Sequence, residues 1–104
     1  MATTTQPFSL TLGDGGELVA VGELDVSVVD YFWGAAASKL DPRREVVLDL
    51  ADLSFIDSGG IRAIVRLAEE VCRHGLVLRS PRRGVLKVLD ILGVEHFPGI
   101  RVER

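Results

Sequence analysis

The chain has 104 residues, 47% of them hydrophobic, and a formal charge of −3. It is therefore sized for one domain around one core, too apolar for a disordered chain and without the bulk positive charge of a nucleic-acid surface. Its single cysteine, Cys72, excludes an internal disulfide, and neither a signal-peptide pattern nor a run of about 18 apolar residues is present, so the expectation is a cytoplasmic protein with no membrane span.

Residues 1–6 are predicted to be a flexible tail. Phe8 to Leu12 alternates apolar and polar residues, the period of a half-buried strand. The turn cluster Gly13-Asp-Gly-Gly16 leads into Glu17-Leu-Val-Ala-Val-Gly22, so 8–22 reads as a β-hairpin closed by Glu23-Leu-Asp25. From Val28 to Leu40 the period becomes helical. Val29, Trp33, Ala36 and Leu40 form the buried stripe, with Phe32 at its edge. Asp41-Pro42 stops this helix. Val46 to Leu50 is apolar on both faces apart from Asp49, as in a central strand, and Ala51 to Ile56 reads as a link. Ile61, Ile64, Val65, Ala68, Val71 and Cys72 then repeat at helical spacing, with Arg62, Arg66, Glu69, Glu70 and Arg73 opposite. That helix is expected to run to His74 and to stop at Gly75. Leu76-Val-Leu78 is a strand. A third helix buries Val85, Leu86, Leu89 and Leu92 and ends at Gly93, and Ile100 and Val102 mark a last strand. The order β-β-α-β-α-β-α-β implies an α/β fold, a mixed sheet with helices packed against it in a single domain, residues 1–104.

Catalytic and cofactor signatures are weak. No phosphate-loop or dinucleotide fingerprint is present, and His74 and His96 lie 22 residues apart without the carboxylates or cysteines of a metal site. Ser58 stands at a strand–turn–helix junction, but Asp57-Ser-Gly-Gly60 is not a nucleophile elbow, and no histidine is placed as its base. The expectation is no enzyme, no metal and no cofactor. Asp57 or Ser58 can cap the following helix. Two successive glycines in a first turn disfavour the helix and leave Ser58 bare, which suits binding or modification. Arg79, Arg82, Arg83 and Lys87 form a basic cluster that reads as a solvated face or a surface for an acidic partner.

The segment Asp52-Leu-Ser-Phe-Ile-Asp-Ser-Gly-Gly-Ile61 resembles the signature of the STAS domain (sulfate transporter and anti-sigma-factor antagonist), and Gly22-Glu-Leu-Asp25 resembles the same family's second-strand exit. With Val46-Val-Leu-Asp-Leu50 before the first of these and the Val85–Gly93 helix after Pro81, the resemblance covers residues 8–102. The resemblance implies a stand-alone STAS domain that acts as an anti-sigma-factor antagonist. The unphosphorylated form would bind an anti-sigma factor that is also a serine kinase, and so free a sigma factor. The kinase would phosphorylate Ser58, and a serine phosphatase would reverse it. The implied partner-binding residues are Asp25, Asp57, Ser58, Gly59, Gly60 and Arg62. Two positions depart from the family pattern: Gly59 replaces a usual Ser or Thr, and Arg62 a usual small residue. The alternatives are a STAS subunit of a lipid or solute transporter, bound to an ATPase and never phosphorylated, and a component of a stress-sensing assembly. The isolated chain is expected to be a monomer.

Overall fold

The computed structural model describes residues 7–104, so the predicted tail at 1–6 lies outside the described residues. The strands are β1 (Ser9–Leu12), β2 (Leu18–Leu24), β3 (Val46–Ile56), β4 (Leu76–Arg79) and β5 (Ile100–Glu103). The helices are α1 (Val29–Lys39), α2 (Ser58–Glu70) and α3 (Arg83–Ile91). A short 3-10 turn, Val26–Val28, precedes α1, and another, Val94–His96, precedes β5. The sheet order is β1-β2-β3-β4-β5, with the β1–β2 hairpin antiparallel and every later pair parallel. The element order is the one expected from the sequence.

Strand alternation explains the two faces. Leu18, Ala20, Leu48, Leu50, Leu76, Leu78, Ile100 and Val102 share one buried cluster with Phe32 of α1, Ile64 and Leu67 of α2, and Val85 and Leu89 of α3. All three helices therefore cover one face. Register places Val19, Asp49, Arg79 and Glu103 in one row on the other face, and Val47, Val77 and Arg101 in the next. Val77 is buried there outside the main cluster.

On that second face Asp49 joins neighbouring strands. Its carboxylate accepts from Arg79 Nη2 at 3.0 Å, and Arg79 also reaches Glu17 at 3.5 Å. Burial alone would raise the Asp49 carboxyl. The Ala51 amide at 2.9 Å and the Arg79 guanidinium outweigh it and hold the group below the ordinary carboxylate value. Arg82 donates to the Ala51 carbonyl at 2.8 Å, tying the start of α3 to β3. The basic cluster is thus divided: Arg79 and Arg82 serve the fold, while Arg83 and Lys87 are exposed.

Four sequence expectations need correction. First, 51–56 is not a link but the second half of β3, because β2 continues alongside it. Two register shifts, between Val19 and Val21 and between Gly22 and Glu23, absorb the extra residues of β3. Second, Phe32 is fully buried and Trp33 lies at the margin of α1. Phe32 stacks near Phe8, whereas the Trp33 ring lies under the Arg66 guanidinium, 5.1 Å from its centroid, at the α1–α2 seam. A helix cannot bury adjacent side chains equally, and the smaller apolar ring takes the sheet side. Third, α2 ends at Glu70, so His74 sits in the following turn rather than on the helix. Its Arg66–Glu70 pair forms at 3.1 Å. Fourth, Leu92 is 43% exposed, since α3 ends at Ile91. Gly93, at φ 64°, then turns the chain and Val94 buries in its place. Cys72 is buried, which pushes its thiol up to about 11.

Candidate functional site

β2 and β3 run parallel and end level, with Leu24 the register partner of Ile56. One residue further on stand Asp25 and Asp57, on strands spaced by about 4.8 Å. The sheet thus brings together the two acidic residues of the two sequence motifs. Each uses its carboxylate on backbone amides. Asp25 caps the short turn before α1, accepting from the Ser27 amide at 2.9 Å and from the Ser27 hydroxyl at 2.5 Å. Asp57 caps α2: its Oδ1 accepts from the Gly60 amide at 2.9 Å and its Oδ2 from the Val26 amide at 3.4 Å. The Asp57 amide donates back to the Leu24 carbonyl at 3.3 Å. Asp57 therefore binds the helix start to the neighbouring strand exit. Of the two caps open to α2, it is Asp57 that serves.

Ser58 is then the first residue of α2 and is exposed. Its hydroxyl makes no side-chain hydrogen bond among the described residues. Gly60 is capped by Asp57, and the Ile61 amide donates to the Asp57 carbonyl at 2.9 Å. The Ser58 and Gly59 amides are left as the open donors of the first turn. Arg62 lies one turn along the same helical face, exposed and without an ion pair among the described residues.

The glycines have separate reasons. A Cβ at Gly60 would stand 2.5 Å from the Leu24 carbonyl oxygen and 2.9 Å from Ile56, so the helix can approach β2 only without a side chain here. A Cβ at Gly59 would meet the exposed Val26 side chain at 3.0 Å and Asp57 Oδ1 at 3.2 Å, a tight but yielding contact. Gly22 belongs to the scaffold: its φ is 102°, and a side chain would strike the Pro7 carbonyl at 2.8 Å. Gly60 thus has a packing role that its motif position alone did not disclose.

Two apolar residues complete the surface and escaped sequence reasoning. Val26 is 72% exposed beside Gly59, and Phe55 is 47% exposed at the end of β3. The second register shift of β3, with Glu23 opposite Phe55, breaks the alternation that would otherwise hide it. No sequence signal marks that bulge. His74 is at the far end of α2, roughly 20 Å away at 1.5 Å per helical residue, so it is not a base for Ser58. Among the described residues no group of three or more His, Cys, Asp or Glu side chains could hold a metal ion. Among them, too, no helix is long and apolar enough to cross a membrane.

The architecture and the strand-to-helix serine turn define a STAS-type module. The family model described as "Mlab, STAS domain" matches residues 11–102, and the chain belongs to that family. A search of the curated proteins finds no match. Among solved structures, the anti-sigma-factor antagonist SpoIIAA in its unphosphorylated form is similar, with a TM-score of 0.66 and 20% identity. That likeness covers 94% of this chain and 89% of the SpoIIAA chain, and it supports the same mixed α/β fold.

Proposed function

We propose that the chain is an anti-sigma-factor antagonist of the partner-switching kind, a binding module and not an enzyme, governed at Ser58. The observation that carries this reading is the bare, exposed Ser58 at the first position of α2, with its neighbour Asp57 already committed to the cap. A serine so placed can be entered by a kinase without unfolding the helix. Unphosphorylated, the surface of Asp25, Asp57, Ser58, Gly59, Gly60 and Arg62, with Val26 and Phe55, binds an anti-sigma factor that is also a serine kinase. The sigma factor is thereby released. Phosphorylation of Ser58 ends the binding, and a serine phosphatase restores it.

The physical chemistry supports a switch that acts on the partner rather than on the fold. A phosphoserine adds nearly two negative charges and three acceptor oxygens. The Ser58 and Gly59 amides and the helix dipole accommodate an anion at that end. Asp57 repels it, and the partner must desolvate it. A coupling of about 3 kcal/mol, within the ordinary range for linked sites, lowers affinity by roughly 100-fold. Arg62 is the cation within one helical turn. It suits an acidic patch on the unphosphorylated chain's partner and a phosphate after modification.

The reading is tested by incubating the chain with its cognate kinase and ATP and measuring intact mass, followed by titration of the kinase with wild type, Ser58→Ala and Ser58→Glu. The wild type is expected to gain one phosphate and Ser58→Ala none. Ser58→Ala is expected to bind like the unmodified wild type, and Ser58→Glu to bind at least ~10-fold more weakly. Equal binding by wild type and Ser58→Glu contradicts the switch. Binding to an ATPase with no phosphate transfer marks the transporter-subunit alternative.

A further inference from the structure

β5 is an edge strand, with β4 on one side and no strand on the other among the described residues. The Leu76 amide donates to the Gly99 carbonyl and the Ser80 amide to the Glu103 carbonyl, both at 2.7 Å. Odd-numbered residues of β5 therefore turn their backbone groups toward β4. Alternation turns outward the N–H and C=O of Val102, the C=O of Ile100 and the N–H of Arg104. The Ile100 N–H is already used by the Phe97 carbonyl at 3.2 Å.

We propose that this edge binds a second copy of the chain, antiparallel, about a two-fold axis at Val102. In that register each Val102 N–H donates to the Val102 carbonyl of the second copy, and each Arg104 N–H to its Ile100 carbonyl. Arg101 then stands directly opposite Glu103 of the second copy, twice, on the exposed face of the joined sheet. Sliding the pairing by two residues sets Arg101 against Arg101 or Glu103 against Glu103. The charge pattern thus selects one register. The opposite edge has no such device: β1 carries Ser9, Thr11 and Leu12 and follows Pro7.

The helix layer agrees. Because all three helices cover one face, an axis perpendicular to the sheet sets the helix layers of both copies on the same side of the joined sheet. The end of α3 exposes Ile91 and Leu92 by 71% and 43%, with Phe97 at 38% just before β5. An isologous contact also uses up the edge, so assembly closes at two copies. The proposal departs from the monomer expected for the isolated chain. The Ser58 surface lies at the ends of β2 and β3 and stays free, so this inference stands apart from the proposed function.

Sedimentation velocity on the full chain up to roughly 1 mM tests it, with circular dichroism confirming that each variant is folded. The mass is expected to rise from one copy to two and no further. Arg101→Glu and Glu103→Arg are each expected to weaken association at least ~10-fold, because two opposed pairs become like-charged. The double reversal Arg101→Glu/Glu103→Arg is expected to restore it. Within its own chain Arg101 also pairs with Glu103 at 3.3 Å and with Glu45 at 3.5 Å. Because the double variant can re-form the first of these, urea unfolding of each variant as a dilute monomer accompanies the titrations, and association is expected to be restored beyond any recovery of monomer stability. A wild type that stays monomeric throughout, a double variant as weak as the singles, or species larger than two copies each overturn the proposal.

Discussion

The first half of β3 and the turn just beyond its end put carboxylates to different uses. In the first half Asp49 faces a cation, Arg79, and locks neighbouring strands together through side chains. At the far end Asp57 faces backbone amides, those of Gly60 and Val26, and its side chain orders a turn. The first arrangement neutralises charge within the fold. The second leaves Ser58, Arg62, Val26 and Phe55 uncovered around a rigid backbone. A surface that is well held but poorly covered suits recognition better than one whose charges are already paired.

That contrast can be broken most sharply at the adjacent glycines. Gly60→Ala is expected to lower stability by about 3 kcal/mol in urea unfolding, because its Cβ meets a backbone carbonyl that cannot yield. Gly59→Ala is expected to change stability by less than about 1 kcal/mol, the gain in helix propensity offsetting the contact with Val26. Equal effects at both positions would mean that Gly60 is not held against Leu24.

Asp57→Ala comes next. It removes the α2 cap and the tie to Val26 together, and a loss of about 1–2 kcal/mol is expected by the same measurement. Hydrogen exchange at the Gly60 and Val26 amides should quicken with it, and unchanged exchange at Val26 would remove the tie from the account.

The Asp49–Arg79 pair is expected to matter least, because it is partly solvated. Arg79→Met should lower stability only slightly near neutral pH, as expected of a solvated pair. The sign of its pH dependence follows from a depressed carboxyl. Asp49 contributes stability above the unfolded carboxylate value, and the contribution disappears as pH falls through its lower folded value. In acid the variant and the wild type should therefore converge, and a gap that persists or widens at low pH contradicts the assignment.

Much of the fold was legible in the chain because its periodicities are strong. The hairpin, the three helices and the five strands follow from alternation, helical spacing and turn residues. The second half of β3 was not, since Asp52 and Ser54 interrupt the apolar pattern and only pairing with β2 keeps the segment extended. The choice between Phe32 and Trp33 was decided by packing against Phe8 and Arg66, which no local pattern contains. At the candidate site, Asp25, Asp57 and Ser58 were legible as types of residue. Their meeting was not, because it depends on β2 and β3 ending level. Val26 and Phe55 escaped for a similar reason: their exposure comes from a cap and a bulge.

The measurement closest to the central claim compares the Ser58-phosphorylated chain with the unmodified chain, recording partner-kinase affinity and thermal unfolding on the same samples. The account predicts affinity lowered by roughly 100-fold with the unfolding midpoint moved by less than about 3 °C, since the first turn of α2 tolerates the anion that the partner does not. Unchanged affinity would contradict it, and so would a loss of affinity accompanied by a collapse of stability.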